Sequence, residues 1–135
     1  MESQFLKSSF QKFDLKLLKQ NRGEAPIFKT IINNKQQELF ITSINLDTET
    51  SIKIPKQELG ELKDNLWVVL VLIMENEPRG LYIIPSKIFL KPDNYIFTDN
   101  EMTFKPLSNY EIKIFRSAFE ELSKYSIENM IKSIK

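Results

Sequence analysis

Three triplets in this chain place an acid two residues before a lysine: Asp14-Leu15-Lys16, Glu61-Leu62-Lys63 and Glu111-Ile112-Lys113. An acid-x-Lys unit beside a second carboxylate is how a strand pair can hold Mg²⁺. The acids ligate the hard cation, and the Lys positions a water or steadies developing charge. Random placement of the acids and lysines gives roughly two such triplets, so three are no excess. Carboxylate chemistry matters here because so much else is absent. The 135 residues contain no Cys and no His. Disulfides, thiolate nucleophiles, Cys/His zinc sites and imidazole general bases are therefore excluded. Acid–base work is left to Asp, Glu, Lys and Tyr. With only three glycines, Gly23, Gly60 and Gly80, there is no Gly-rich phosphate cradle and no Gly-flanked serine elbow.

Of the triplets, Glu111-Ile112-Lys113 has Pro92-Asp93 upstream, and the order Pro-Asp then Glu-x-Lys resembles the PD-(D/E)XK nuclease signature. That resemblance implies a Mg²⁺-dependent nuclease using Asp93, Glu111 and Lys113. Glu111 also fits a helix capping box with Ser108, and only 22 residues (135 − 113) follow Lys113. A second resemblance runs in another register. A helix, a hairpin over 26–46, an apolar strand at 66–74, Tyr82-Ile83-Ile84-Pro85-Ser86, and Leu122-Ser123-Lys124-Tyr125 before a last helix look like small bacterial restriction-endonuclease-like domains. In that register the metal-binding acid belongs in 26–32 and the Glu/Gln-x-Lys in 40–45. This chain has neither, so the resemblance there implies the fold with its catalytic motif lost.

Binding is the other class of function. Lys12, Lys16 and Lys19 recur at spacings of four and three, which on a helix makes one basic face able to meet phosphates. Residues 3–22 carry a local charge of +4 and residues 61–100 one of −2, within an overall +1. Near-neutrality favours a solvated face for these lysines over a nucleic-acid interface. Trp67, Tyr82, Tyr95 and Tyr110 could stack on bases, but aromatics on strand patterns more commonly fill the core. Ile88-Phe89-Leu90 beside Lys87 and Lys91 could dock a partner or cover a sheet.

The elements that position these groups follow from periodicity. Leu6, Phe10, Phe13 and Leu17 predict a helix over 3–20, with a strand starting at Phe13 as the rival because Phe13, Leu15 and Leu17 alternate. Residues 26–32 and 37–46 read as a hairpin turning at Asn33-Asn34-Lys35. Within it the Phe40/Thr42/Ile44/Leu46 face is the core candidate. Residues 51–54 form a short strand stopped by Pro55. Residues 66–74, continuously apolar and β-branched, predict a central strand buried on both faces. After a polar turn, 81–84 returns beside it, and Ser86 is placed to cap a one-turn helix. Residues 94–98 suggest an edge strand. From Ser108 a helix carrying Ile112, Phe115, Phe119 and Leu122 competes with a strand over 111–115 and a later helix start at Ser117. Residues 126–134 make a last helix, with Ile127, Met130, Ile131 and Ile134 on one face.

The expected fold is α+β, one domain over 1–135. A mainly antiparallel or mixed central sheet is flanked by an N-terminal helix and C-terminal helices. Nothing resembles a signal peptide, and no apolar run is long enough to cross a bilayer, so the expectation is a cytoplasmic chain without membrane contact; its many Lys, Ile and Asn suggest an AT-rich, bacterial genome. The expected function is non-catalytic binding, without cofactor, to a protein partner, to itself or to nucleic acid. The nuclease reading with Mg²⁺ is the alternative.

Overall fold

The nine residues from Leu66 to Met74 offer no polar side chain to solvent, and such a strand is stable only where both faces are covered. The computed structural model, which describes residues 2–11, 18–22, 25–32 and 34–134, puts it where that condition is met. The strands are β1 (Leu18–Arg22), β2 (Ala25–Ile32), β3 (Lys35–Asn45), β4 (Ser51–Pro55), β5 (Leu66–Met74), β6 (Glu77–Pro85), β7 (Phe97–Asn100) and β8 (Asn109–Lys113). The helices are α1 (Glu2–Gln11), α2 (Lys56–Leu59), α3 (Phe119–Leu122) and α4 (Ile127–Ile134). Five strands form one sheet in the order β1-β2-β3-β5-β6, and β4-β8-β7 form a second. Among the described residues only β3 and β5 run parallel; every other pair is antiparallel.

Alternation along β5 divides the core. Val68, Leu70 and Leu72 meet Ile54, Phe97, Tyr110 and Ile112 of the three-stranded sheet. Val69, Val71 and Ile73 meet Phe10 of α1 and Ile127 and Ile131 of α4 on the other side. The architecture is thus α+β in three layers: helices, five-stranded sheet, three-stranded sheet. Trp67 sits half-buried on the helix side, its indole N–H donating to Gln37 Oε1 at 2.7 Å. Phe89 stacks on Tyr110 at 4.6 Å and meets Phe97 edge-on, so the Ile88-Phe89-Leu90 turn covers the sheet.

Several expectations are met. The hairpin forms with Ile32 opposite Lys35, and Asn34 takes φ 64°, which Asn tolerates better than most residues. The final helix buries Ile127 and Ile131. Other expectations are corrected. No single helix covers 3–20: α1 ends at Gln11, and Leu18–Arg22 is a strand paired with β2. Pairing across the sheet outweighs the local helical spacing there. Both faces of β3 are buried, not one, because Leu39 lies under the helices while Phe40 and Ile44 face the second sheet. The partner strand of β5 begins earlier, at Glu77, through a turn in which Glu75 and Asn76 both have positive φ. Ser86 caps nothing; its hydroxyl donates to the Lys63 carbonyl at 2.9 Å and accepts the Lys63 N–H. Glu111 lies in strand β8, so the helix proposed from Ser108 does not form. Ser108 is buried, and its Oγ instead accepts the Met102 N–H.

Candidate functional site

Strand β8 alternates strictly, with Tyr110 and Ile112 turned to the core and Asn109, Glu111 and Lys113 turned away. Register places Ser51, Lys53 and Pro55 of β4 and Thr98 and Asn100 of β7 beside them on the same outer face. The three-stranded sheet is therefore apolar beneath and polar above. Glu111 is the centre of that face. Its Oε1 accepts the Asn100 amide at 3.0 Å, and the same amide reaches Asn109. The Asn100 hydrogen bond holds the Glu111 carboxyl below its ordinary range. Partial burial opposes this, while the Ser51 hydroxyl and the charges of Lys113 and Lys53 assist it. Thr98 Oγ1, in the pair opposite Glu111, is buried without a hydrogen-bond partner among the described residues. Thr50, Ser51, Glu111, Lys113 and Phe115 line a cleft of about 310 Å³.

Of the nuclease candidates, Glu111 and Lys113 thus share one cleft, but Asp93 does not join them. Asp93 Oδ1 accepts the N–H groups of Tyr95, Ile96 and Phe97 at 2.9–3.0 Å, and folds residues 93–96 into a turn with Asn94 at φ 58°. That turn displaces the expected edge strand, which begins at Phe97. Neither carboxylate appears among the other's partners. Among the described residues no group of three or more Asp and Glu side chains is placed to hold a metal ion. Of the other triplets, Lys63 pairs with Glu38 at 2.8 Å, and Asp14-Leu15-Lys16 lies outside the described residues.

Of the proposed basic face, only Lys19 falls among the described residues, and it lies in a strand. Lys12 and Lys16 lie outside the described residues, and Lys19 occupies β1 opposite Phe28. Of the aromatic platforms, Tyr110 is buried, Trp67 and Tyr82 are half-buried, and Tyr95 bonds Ser117 through its hydroxyl while meeting Phe115 edge-on.

A feature that periodicity did not reveal lies between β7 and β8. Residues 101–107 are exposed, and three of them are large and apolar: Met102 at 43%, Phe104 at 64% and Leu107 at 59%. The loop is nevertheless tied down at both ends. Lys56 Nζ, over the Tyr110 ring at 5.0 Å, pairs with Asp99 at 2.5 Å and Glu101 at 2.6 Å. Lys105 closes on Glu101 from the other side. A 3₁₀ turn at Lys105–Leu107, the Met102 bond to Ser108, and Lys56 N–H on the Ser108 carbonyl at 3.0 Å complete the frame. Burial works to lower the Lys56 pKa, but hydrogen bonds donated to Asp99 and Glu101 outweigh it and the net shift is upward. Hydrogen bonds from Lys105 and Lys56 hold Glu101 down at about 2. A sequence signal existed for this loop, since Met102, Phe104 and Leu107 stand in a stretch too irregular for strand or helix.

Among the described residues no helix is long and apolar enough to cross a membrane. No protein-family model, no curated protein and no solved structure matches this chain.

Proposed function

We propose that this chain is a non-catalytic, protein-binding domain that docks through loop 101–107. The observation that carries this reading is the loop's combination of exposure and restraint. Large apolar side chains shown to water are costly unless something covers them, and a loop already held in one conformation loses little further entropy on docking. The flanking charge also suits a protein surface. Lys56 and Lys105 are both matched by Asp99 and Glu101, which leaves little attraction for an anionic polymer or an anionic membrane. The test is site-specific photocrosslinking in cells with benzoylphenylalanine at position 104, and at exposed Lys87 as control. A discrete adduct at 104 alone, including one of twice the chain's mass, supports the reading. Equal adducts at both positions, or none at 104, contradict it.

The second reading, a Mg²⁺-dependent nuclease, draws support from Glu111 and Lys113 lining one cleft. Plasmid nicking with Mg²⁺ or Mn²⁺ that is lost in a folded Glu111→Ala variant would establish it and displace the binding-only reading.

A further inference from the structure

The two edges of the three-stranded sheet are treated differently. In β7, Lys113 N–H bonds the Ile96 carbonyl, so residues 96, 98 and 100 face β8 and residues 97 and 99 face outward. The outward groups of Phe97 are both occupied: its N–H by Asp93 and its carbonyl by the Asn94 N–H at 3.0 Å. That edge is closed by its own loop, as isolated edges commonly are. In β4, Ile114 N–H bonds the Thr50 carbonyl and Lys56 N–H the Ser108 carbonyl. Residues 50, 52, 54 and 56 therefore face β8, and Ser51 and Lys53 present their backbone outward. Among the described residues nothing pairs with that outward row.

We infer that the β4 edge accepts an extended segment of a partner protein whose residues alternate acidic and β-branched. A row of alternating N–H and C=O groups is matched only by another extended backbone. The side-chain alternation fixes the rest. Residues added opposite Ser51 and Lys53 would share the outer face with Lys53 and Lys113, where Glu111 is the sole carboxylate of β4 and β8. Glu49, beside that end of β4, is turned back to accept the Asn45 N–H. Residues between them would share the inner face with Ile52 and Ile54, where Ile52 is only half-buried. Pro55 lacks an N–H, which limits the added strand to a few residues. A second copy of β4 fits less well, because it would bring Lys53 and Lys113 toward their own copies on one face. This inference rests on the sheet edge and not on loop 101–107, so either can fail alone.

The probe is the blocked peptide Val-Glu-Val-Glu-Val, titrated into the full ¹⁵N-labelled chain, with Val-Lys-Val-Lys-Val as control. Expected are saturable shifts and slowed amide exchange centred on Ser51 and Lys53, with binding of the lysine peptide roughly tenfold weaker. Lys53→Pro removes an outward N–H without breaking the ladder to β8. It should abolish the response with the rest of the spectrum intact, while Lys53→Gln should weaken it only partly. Three results overturn the proposal: no shifts at Ser51 and Lys53, equal response to both peptides, or full binding by folded Lys53→Pro. Concentration-dependent protection of Ser51 and Lys53 in the chain alone would also overturn it, by giving the edge to a second copy.

Discussion

The five-stranded and three-stranded sheets share a core but are built for different ends. In the first, the middle of β5 is fully interior: Val68, Val69, Leu70 and Val71 are all at 0% exposure, with partners on both faces. In the second, one face is apolar and the other carries Ser51, Lys53, Glu111, Lys113 and Asn100. The loop between β7 and β8 exposes Met102, Phe104 and Leu107, and the β4 edge of this sheet is unpaired among the described residues. The larger sheet is therefore covered on both faces, while the smaller sheet keeps a polar outer face. A buried strand spends its side chains on packing and has none left for recognition. A half-covered sheet keeps one row of side chains for each task.

That division can be broken at its strong end first. Leu70→Ala opens a cavity between the two sheets and should cost about 2–5 kcal/mol, read as a lower midpoint in urea unfolding. Asp93→Ala comes next. It removes an acceptor shared by three N–H groups and should cost about 1–3 kcal/mol. Amide exchange should accelerate at Tyr95, Ile96 and Phe97 while β5 stays protected. If β5 loosened equally, the two sheets would not differ as described.

Smaller effects belong to the Lys56 node. Glu101 lies below its ordinary value of 4.5, at about 2, because Lys105 and Lys56 bond its charged form. A carboxyl depressed on folding stabilises the folded state above the unfolded value, and that contribution fades as pH falls from about 4.5 toward 2. Carbon-detected NMR titration should place the Glu101 midpoint near 2, and Lys56→Met should move it upward. The Asp99 and Glu101 carboxylates that Lys56 meets are exposed, so Lys56→Met should alter global stability by about 1 kcal/mol or less while freeing the loop. Least affected of all should be Phe104→Ser combined with Leu107→Ser, within about 0.5 kcal/mol of the parent, since both side chains already face water.

Much of the larger sheet was legible in the sequence, and less of the smaller one. The β5 run and the Asn-rich hairpin carry local signals strong enough to locate three strands. The α4 stripe of Ile127, Met130 and Ile131 located the last helix in the same way. Residues 108–122 leave helix and strand in competition, because Ser108 and Glu111 satisfy capping spacing; the strand prevails because β8 pairs with β4, 54 to 62 residues upstream, and with β7, 9 to 15 residues upstream. Glu111 and Lys113 were singled out from their triplet and do lie together. The third member, Asp93, was drawn to its own backbone, which residue type alone does not reveal. The exposure of loop 101–107 is a tertiary property: Met102, Phe104 and Leu107 look like core until the chain folds beneath them.

The central claim, that the molecule works by docking through loop 101–107, is tested most directly by combining the crosslinker with that double substitution. Benzoylphenylalanine at Met102 should give a discrete adduct in the parent chain. The adduct should vanish in Phe104→Ser/Leu107→Ser, whose ¹⁵N spectrum remains that of the folded parent. An undiminished adduct in the folded double variant would contradict the account.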